Sequence, residues 1–255
     1  MTLELVTIPC RTDNYAYMIH DAASGQTAVV DVPDPAPILA ALSVRGWALT
    51  DILITHHHSD HIDGVEPLRA ATGARVLGAA ADAHRLPRLD LLLSDGMVFM
   101  VGPEVVRVID VPGHTVGHIA FHLPESGYAF TADSLMAGGC GRLFEGSSAQ
   151  MWESLLKLGA LPPETLICSG HEYTAANLRF AASVDASNQL LHDRIAQVAQ
   201  ARSESRPTVP SLLLDELATN PFLRANTPAL RAAVQMPNAP GALVFAELRA
   251  RKDRF

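Results

Sequence analysis

The sequence predicts an α/β fold of two mixed sheets with helices outside, followed by an all-helical segment. Three observations predict it. Short runs rich in Val, Ile and Leu recur from residue 3 to residue 168, and several end in His, Asp or Gly. Too many of these runs are adjacent for simple strand–helix–strand alternation, which leaves two mixed sheets as the better architecture. After residue 171 no convincing strand pattern remains and helical periodicity takes over. The chain is therefore expected to divide into an α/β domain over 1–172 and a helical domain over 173–255.

Residues 3–8 alternate and read as the first strand. Residues 15–20 and 26–31 read as two more, separated by a Ser24-Gly25 turn. Pro33 and Pro35 end the extended pattern. Residues 36–45 then carry apolar side chains at helical spacing, with Gly46 as the stop. A buried strand over 51–54 leads into Thr55-His56-His57-His58-Ser59-Asp60-His61. Residues 62–72 continue as a helix to Gly73, and 75–77 form a short strand. Residues 84–96, with His84, Pro87 and a Leu91-Leu92-Leu93 run, read as loop and edge strand. Residues 105–111 make a β-branched strand that stops at Pro112-Gly113-His114. Strands follow at 118–123 and 128–131 around a turn at Glu125-Ser126-Gly127. Gly138-Gly139-Cys140-Gly141 reads as a tight loop, 147–158 as a helix, and 165–168 as a strand ending at Gly170-His171. Helices are expected at 174–184, 187–202 and 241–253.

Composition narrows the function. A 48% hydrophobic share over 255 residues supplies a real core, and 18% charged residues is not a disordered composition. A formal net charge of −8 argues against general nucleic-acid or anionic-membrane binding, so neither partner is expected. Cys10, Cys140 and Cys168 form no close pair, which points to a reducing compartment and a cytoplasmic protein. The opening MTLELVTIPCRTDNYAYMIHD does not read as a signal peptide, and no stretch approaches the ~20 apolar residues of a membrane helix.

The chemistry lies in the His cluster. Alternation along an extended segment points His56 and His58 the same way, and Asp60 and His61 follow where a helix should start. Ser59 and Asp60 alone would pass for capping residues. His114, Asp133 and His171 then sit at the ends of three further strands. Each is bland by itself; together the seven supply only nitrogen and oxygen ligands. Seven exceed the needs of one tetrahedral ion, so two divalent ions are expected. One is assigned to His56, His58 and His114, the other to Asp60, His61 and His171, with Asp133 bridging. Absence of Cys ligands is compatible with zinc, iron or manganese, with zinc the first expectation. Two ions ~3.5–4 Å apart bring a bound water's pKa from 15.7 toward ~7, which implies hydrolysis of an electrophilic carbonyl or phosphoryl group. Asp60, His61 and Asp133 are the expected catalytic residues. His57, His118 and His122 are read as structural.

Through THHHSDH, PGHTVGH, FTADS and GHEYT the chain resembles the metallo-β-lactamase superfamily. Within it, IPCRTDNYAYMI, GGCGRLFEG, GHEYTAANLRFA, PTVPSLLLDELATNPFLR and the terminal RARKDRF resemble the glyoxalase II (hydroxyacylglutathione hydrolase) family over essentially the whole chain. The resemblance implies a four-layer αββα sandwich with a C-terminal all-helical, substrate-binding domain. It implies hydrolysis of S-(2-hydroxyacyl)glutathione, such as S-D-lactoylglutathione, to glutathione and a 2-hydroxy acid such as D-lactate, the second step of methylglyoxal detoxification. A monomer is expected. It also implies glutathione contacts from Arg142, Tyr173, Arg249 and Lys252, with Phe144 where some members have Tyr. Glutathione carries two carboxylates, which Arg and Lys suit. Lys252 is one of two lysines, the other being Lys157. The plainer reading of Arg249, Arg251 and Lys252 is that they complement the last helix's dipole. Asp63 and Ala132 stand where glycines are usual. The iron-dependent persulfide dioxygenases of the superfamily resemble the metal half but not the helical tail.

Overall fold

The computed structural model describes residues 3–255; Met1 and Thr2, the start of the expected 1–172 domain, lie outside them. The chain gathers into two compact units. One comprises the residues up to Asp110 with Gly117–Thr131, the other Val111–Val116 with Ala132–Phe255.

In the first unit, β1 (Glu4–Cys10), β2 (Asn14–His20) and β3 (Thr27–Val30) form an antiparallel meander. Helix α1 (Pro35–Arg45) follows; Asp34 caps it by accepting from the Ala36 amide, and Gly46 ends it in the left-handed conformation that glycine tolerates. Then come β4 (Asp51–Leu53), α2 (Ser59–Ile62), α3 (Val65–Thr72), β5 (Arg75–Ala79) and β6 (Leu91–Leu93). Strands β3 to β6 run parallel, with Val30 opposite Leu53 and Leu53 opposite Leu77. β2 is buried along its whole length, as a strand covered on both faces must be. One face of the sheet packs on Ile38 and Leu42 of α1 and Val65 and Leu68 of α3, through Val29, Ile52 and Val76. Truncating a fully buried side chain such as Ile38 to Ala costs ~2–5 kcal/mol. A second antiparallel sheet runs β7 (Val98–Val101), β8 (Glu104–Asp110), β9 (Ile119–Leu123) and β10 (Tyr128–Ala132). The two sheets meet where the Tyr17 and Phe130 rings lie 5.7 Å apart.

The expected helix over 62–72 breaks at Asp63-Gly64. A Cβ on Gly64 would stand 2.7 Å from Val32 Cγ1 and 2.8 Å from Val32 O. Val32 lies against the break and bonds through His61 O and the Gly64 amide, 2.8 and 2.9 Å.

The second unit holds β11 (Leu135–Met136), β12 (Gly139–Cys140), α4 (Ser148–Gly159), β13 (Leu166–Ser169), α5 (Thr174–Val184) and α6 (Gln189–Ser203). It continues with β14 (Ser211–Leu212), α7 (Leu213–Thr219), α8 (Pro228–Ala233) and α9 (Gly241–Arg254). Ser147 and Gln150 close a reciprocal capping box on α4, and Asn188 and Thr227 cap α6 and α8.

Three expectations are corrected. The segment expected as a loop at 138–141 is half of a hairpin, with Leu135 opposite Cys140, Met136 opposite Gly139, and Gly138 at φ 66° in the turn. A strand does occur after residue 171, because Ser211–Leu212 pairs with Leu166–Ile167. Val98–Val101 is a further strand, and α7 and α8 are helices that the pattern did not show. Strands of two residues and helices of six or seven are too short to display a period. No described helix is long and apolar enough to cross a membrane.

Candidate metal centre

In the first unit the parallel strands β3 and β4 deliver their C-terminal ends side by side, which places Asp31 next to Thr55. Asp31 adopts a left-handed backbone at φ 57°. Its Oδ1 accepts from the Thr55 amide at 2.9 Å, and its Oδ2 accepts from the Thr55 hydroxyl at 2.8 Å. The same Oδ2 lies 2.8 Å from His61 Nδ1. A carboxylate only accepts, so His61 carries its proton on Nδ1. Thr55 has spent its hydroxyl proton on Asp31 and must accept from His56 Nδ1, 3.0 Å away. Both imidazoles, fully buried, therefore present Nε2 as a lone pair.

That lone pair on His61 faces Asp60 Oδ2 at 3.7 Å. Two acceptors facing each other repel; a cation between them turns the repulsion into attraction. Asn14 fixes Asp60 by donating to Oδ2 at 3.0 Å and to its backbone carbonyl at 3.1 Å. The His58 ring stands edge-on to His56 at 4.8 Å, and His118 stacks on His56 at 4.7 Å and 10°. His57 turns to Asp82, with Nδ1 3.3 Å from its carboxylate, which Arg85 also holds.

The second unit holds His114, Asp133 and His171, all buried. His114 Nδ1 donates to the Arg142 carbonyl at 2.7 Å, which again leaves Nε2 as the lone pair. Asp133 Oδ2 lies 3.5 Å from His114 Nε2 and 3.3 Å from His171 Nε2. Ligands bound at 2.0–2.1 Å in a tetrahedron stand about 3.3 Å apart, so these separations match edges of a metal site. These nitrogen and oxygen donors, with the tautomers of His56, His61 and His114 committed, fit divalent ions. Ala132 holds Asp133 from a left-handed φ of 41°, the conformation that the usual glycine would adopt without strain. Asp63, by contrast, has φ −55° and pairs with Arg11 at 2.7 Å, so its position has no need of glycine.

The five residues expected at the substrate also lie in the second unit. The Arg142 side chain is largely exposed, with Nε 3.4 Å from Asp253. Phe144 is 62% exposed and stands edge-on to the His114 ring at 5.3 Å. Tyr173 is 40% exposed and stacks on His171 at 4.7 Å and 8°. The Lys252 ammonium donates to the Ala176 carbonyl at 3.3 Å and lies 5.5 Å from both the Phe180 and Phe255 rings. Its burial lowers its pKa, and Arg249 and Arg179 nearby lower it further. Arg249 differs from the other four in being 5% exposed. It donates to the Cys140 carbonyl and to Asp253, both at 2.9 Å, and lies over the Phe222 ring. Sequence reasoning missed Asp31, Thr55 and Asn14. Asp31 lies 30 residues from His61, in an ordinary strand-then-Pro context that carries no ligand spacing.

The fold and its ligand sets define a member of the metallo-β-lactamase superfamily, whose family model matches residues 12–171. The crystal structure of the BLEG-1 B3 metallo-β-lactamase aligns with a TM-score of 0.67 at 20% identity, covering 86% of this chain and 99% of that one. TTHA1623 in a di-iron-bound form aligns with a TM-score of 0.56 at 30% identity, covering 66% of this chain and 91% of that one. Residues 172–255 match the hydroxyacylglutathione hydrolase C-terminus. A hydroxyacylglutathione hydrolase of Cereibacter sphaeroides is 65% identical over 255 residues, with 100% of both chains covered. The chain belongs to the hydroxyacylglutathione hydrolase family.

Proposed function

We propose that this enzyme hydrolyses S-(2-hydroxyacyl)glutathione, with S-D-lactoylglutathione as its main substrate, to glutathione and a 2-hydroxy acid such as D-lactate. This is the second step of methylglyoxal detoxification. One observation carries the reading. A single chain joins a metallo-β-lactamase half, residues 12–171, to a hydroxyacylglutathione hydrolase C-terminus, residues 172–255, without a gap. The same junction supports a catalytic domain over 1–172 and a substrate-binding domain over 173–255.

His56, His58 and His114 would hold one divalent ion, and Asp60, His61 and His171 a second, with Asp133 serving both. Zinc is the first choice and iron or manganese the alternatives; the related TTHA1623 holds two irons. When bound, such ions polarise a carbonyl and bring a water's pKa toward ~7. The chain's own residues arrange the rest. Asp31 and Thr55 lock the tautomers of His61 and His56, and Asn14 holds Asp60. Asp60, His61 and Asp133 are the catalytic residues that orient the water. Arg142, Lys252 and Arg249 supply positive charge for the glutathione carboxylates, and Phe144 and Tyr173 supply exposed ring surfaces. A thiol of pKa ~8.5 leaves readily, so no strong general acid is required.

The three cysteines are unpaired and buried, which supports a reducing, cytoplasmic setting, and we place the enzyme there as a monomer. The test is loss of the thioester absorbance of S-D-lactoylglutathione, with metal analysis of the same sample. kcat/KM should greatly exceed that for a β-lactam or a phosphodiester. Preference for either of those would overturn the substrate while leaving the fold untouched.

A further inference from the structure

Hairpin β11–β12 is held by side chains from three of the C-terminal helical segments. Asn220, just past α7, donates Nδ2 to the Met136 carbonyl at 3.2 Å and the Gly139 carbonyl at 2.9 Å. Asn177 of α5 donates to the Ala137 carbonyl at 3.1 Å. Glu216 of α7 accepts from the Gly138 amide at 2.8 Å. Arg249 of α9 donates to the Cys140 carbonyl at 2.9 Å. Each of the five consecutive residues 136–140 thus has a backbone group bonded to a buried side chain of the helical segment.

Glu216 is itself held by Arg194 and by Ser211, so the grip is anchored behind the hairpin as well. Satisfying buried backbone groups is a general need. Here, however, the gripped strand runs straight into the metal site. The next residue, Gly141, has no room for a side chain, since a Cβ would fall 1.9 Å from the Asp133 carbonyl. Its amide donates to Ser134 O at 3.2 Å. The residue after it, Arg142, offers the carbonyl that accepts from His114 Nδ1 at 2.7 Å.

We propose that this hairpin is the mount of His114. On this view Asn177, Glu216, Asn220 and Arg249 are positioning residues: through the Arg142 carbonyl they set the tautomer and the aim of His114 Nε2. The proposal rests on the reading of His114 as a metal ligand. It makes the helical segment a determinant of metal affinity as well as of substrate binding. Partners of ligating imidazoles are worth about 10–100-fold in metal affinity or activity. Loosening the hairpin should act on that scale.

The experiment uses the full chain, zinc-loaded and labelled with nitrogen-15 histidine, as wild type, Asn220→Ser and Asn177→Ser. His61 is the internal control, because its Nδ1–H is held by the Asp31 side chain. In the wild type the His114 Nδ1–H should exchange slowly with solvent. In the variants it should exchange at least about tenfold faster while His61 is unchanged. Chelator competition should show one zinc held about 10–100-fold more weakly. Equal change at both imidazoles, or no change at His114 in a folded variant, overturns the proposal. A wild-type His114 proton that exchanges as fast as free imidazole overturns it even if both variants fail to fold. A chain that takes up no zinc refutes the metal reading instead, and the exchange comparison in the metal-free protein still decides whether the hairpin aims His114.

Discussion

The two ligand-bearing regions meet one requirement by different means. In the first unit a side chain commits the imidazoles: Asp31 bonds His61 directly and His56 by way of Thr55. In the second unit a backbone carbonyl, that of Arg142, does the same for His114. The difference shows where each region is vulnerable. A side-chain buttress can be removed by one substitution at its own position. A backbone buttress cannot, because every residue has a carbonyl, so it moves only when the segment carrying it moves. Sensitivity at His114 is thereby displaced onto residues distant in sequence, such as Asn220.

The largest effect should come from Asp133, the residue proposed to serve both ions. Asp133→Ala should lower occupancy of both and reduce kcat/KM on the order of 10³-fold, equivalent to ~4 kcal/mol of lost transition-state stabilisation. Elemental analysis beside steady-state kinetics reads it. His114→Ala should empty mainly one ion. A metal-replete chain that is fully active with a single ion would remove Asp133 from its shared role.

Next in size is the side-chain buttress itself. Asp31→Ala frees His61 Nδ1 and the Thr55 hydroxyl together, so metal affinity should fall about 10–100-fold. Chelator competition would show it, and retention of wild-type affinity would mean that the tautomers are held by something else. Thr55→Val should act mainly on His56 and be milder, because His61 keeps its bond to Asp31.

A smaller, different effect is expected at Lys252. Lys252→Ala should raise KM for the glutathione thioester about tenfold with kcat little changed, more so at low salt. Lys252 binds a carboxylate only when protonated, and its pKa lies below the ordinary lysine value of 10.5. KM should therefore stay flat through neutral pH and climb at a lower pH than an exposed lysine would produce. Lys252→Arg should move that climb upward. A KM identical in all three proteins from neutral to alkaline pH would leave the residue with only a helix-dipole role. Arg249 sharpens the contrast: it is buried, so Arg249→Ala should also lower the melting temperature, which Lys252→Ala should not.

The smallest effect concerns Ala132, held at φ 41°. Ala132→Gly should stabilise the protein by about 1 kcal/mol at most, because a left-handed Ala costs ~1–2 kcal/mol and glycine's greater unfolded-state entropy returns part of that. Thermal unfolding should show a rise of roughly 2–4 °C. A lower melting temperature would mean that the Ala132 methyl contributes packing that outweighs the strain.

The sequence by itself determined the α/β part, its helical continuation and the seven candidate ligands. The ligands follow strand runs whose apolar pattern is local, and four of them lie within six consecutive residues, His56 to His61. Motif and periodicity are properties of neighbouring residues, so they can be read in one dimension. The tertiary structure alone decided what stands behind the ligands. Asp31 reaches His61 because β3 and β4 are parallel neighbours, a pairing that leaves no mark on either segment. Ser211–Leu212 is a strand only because β13 offers it an edge. The 138–141 segment looked like a loop because its glycines permit one, and became half of a hairpin because Glu216, Asn220 and Arg249 bond its backbone from as far as 109 residues away. Hydrogen bonds to a backbone are blind to the side chain at the position they grip, so the gripped residues carry no signature of their partners.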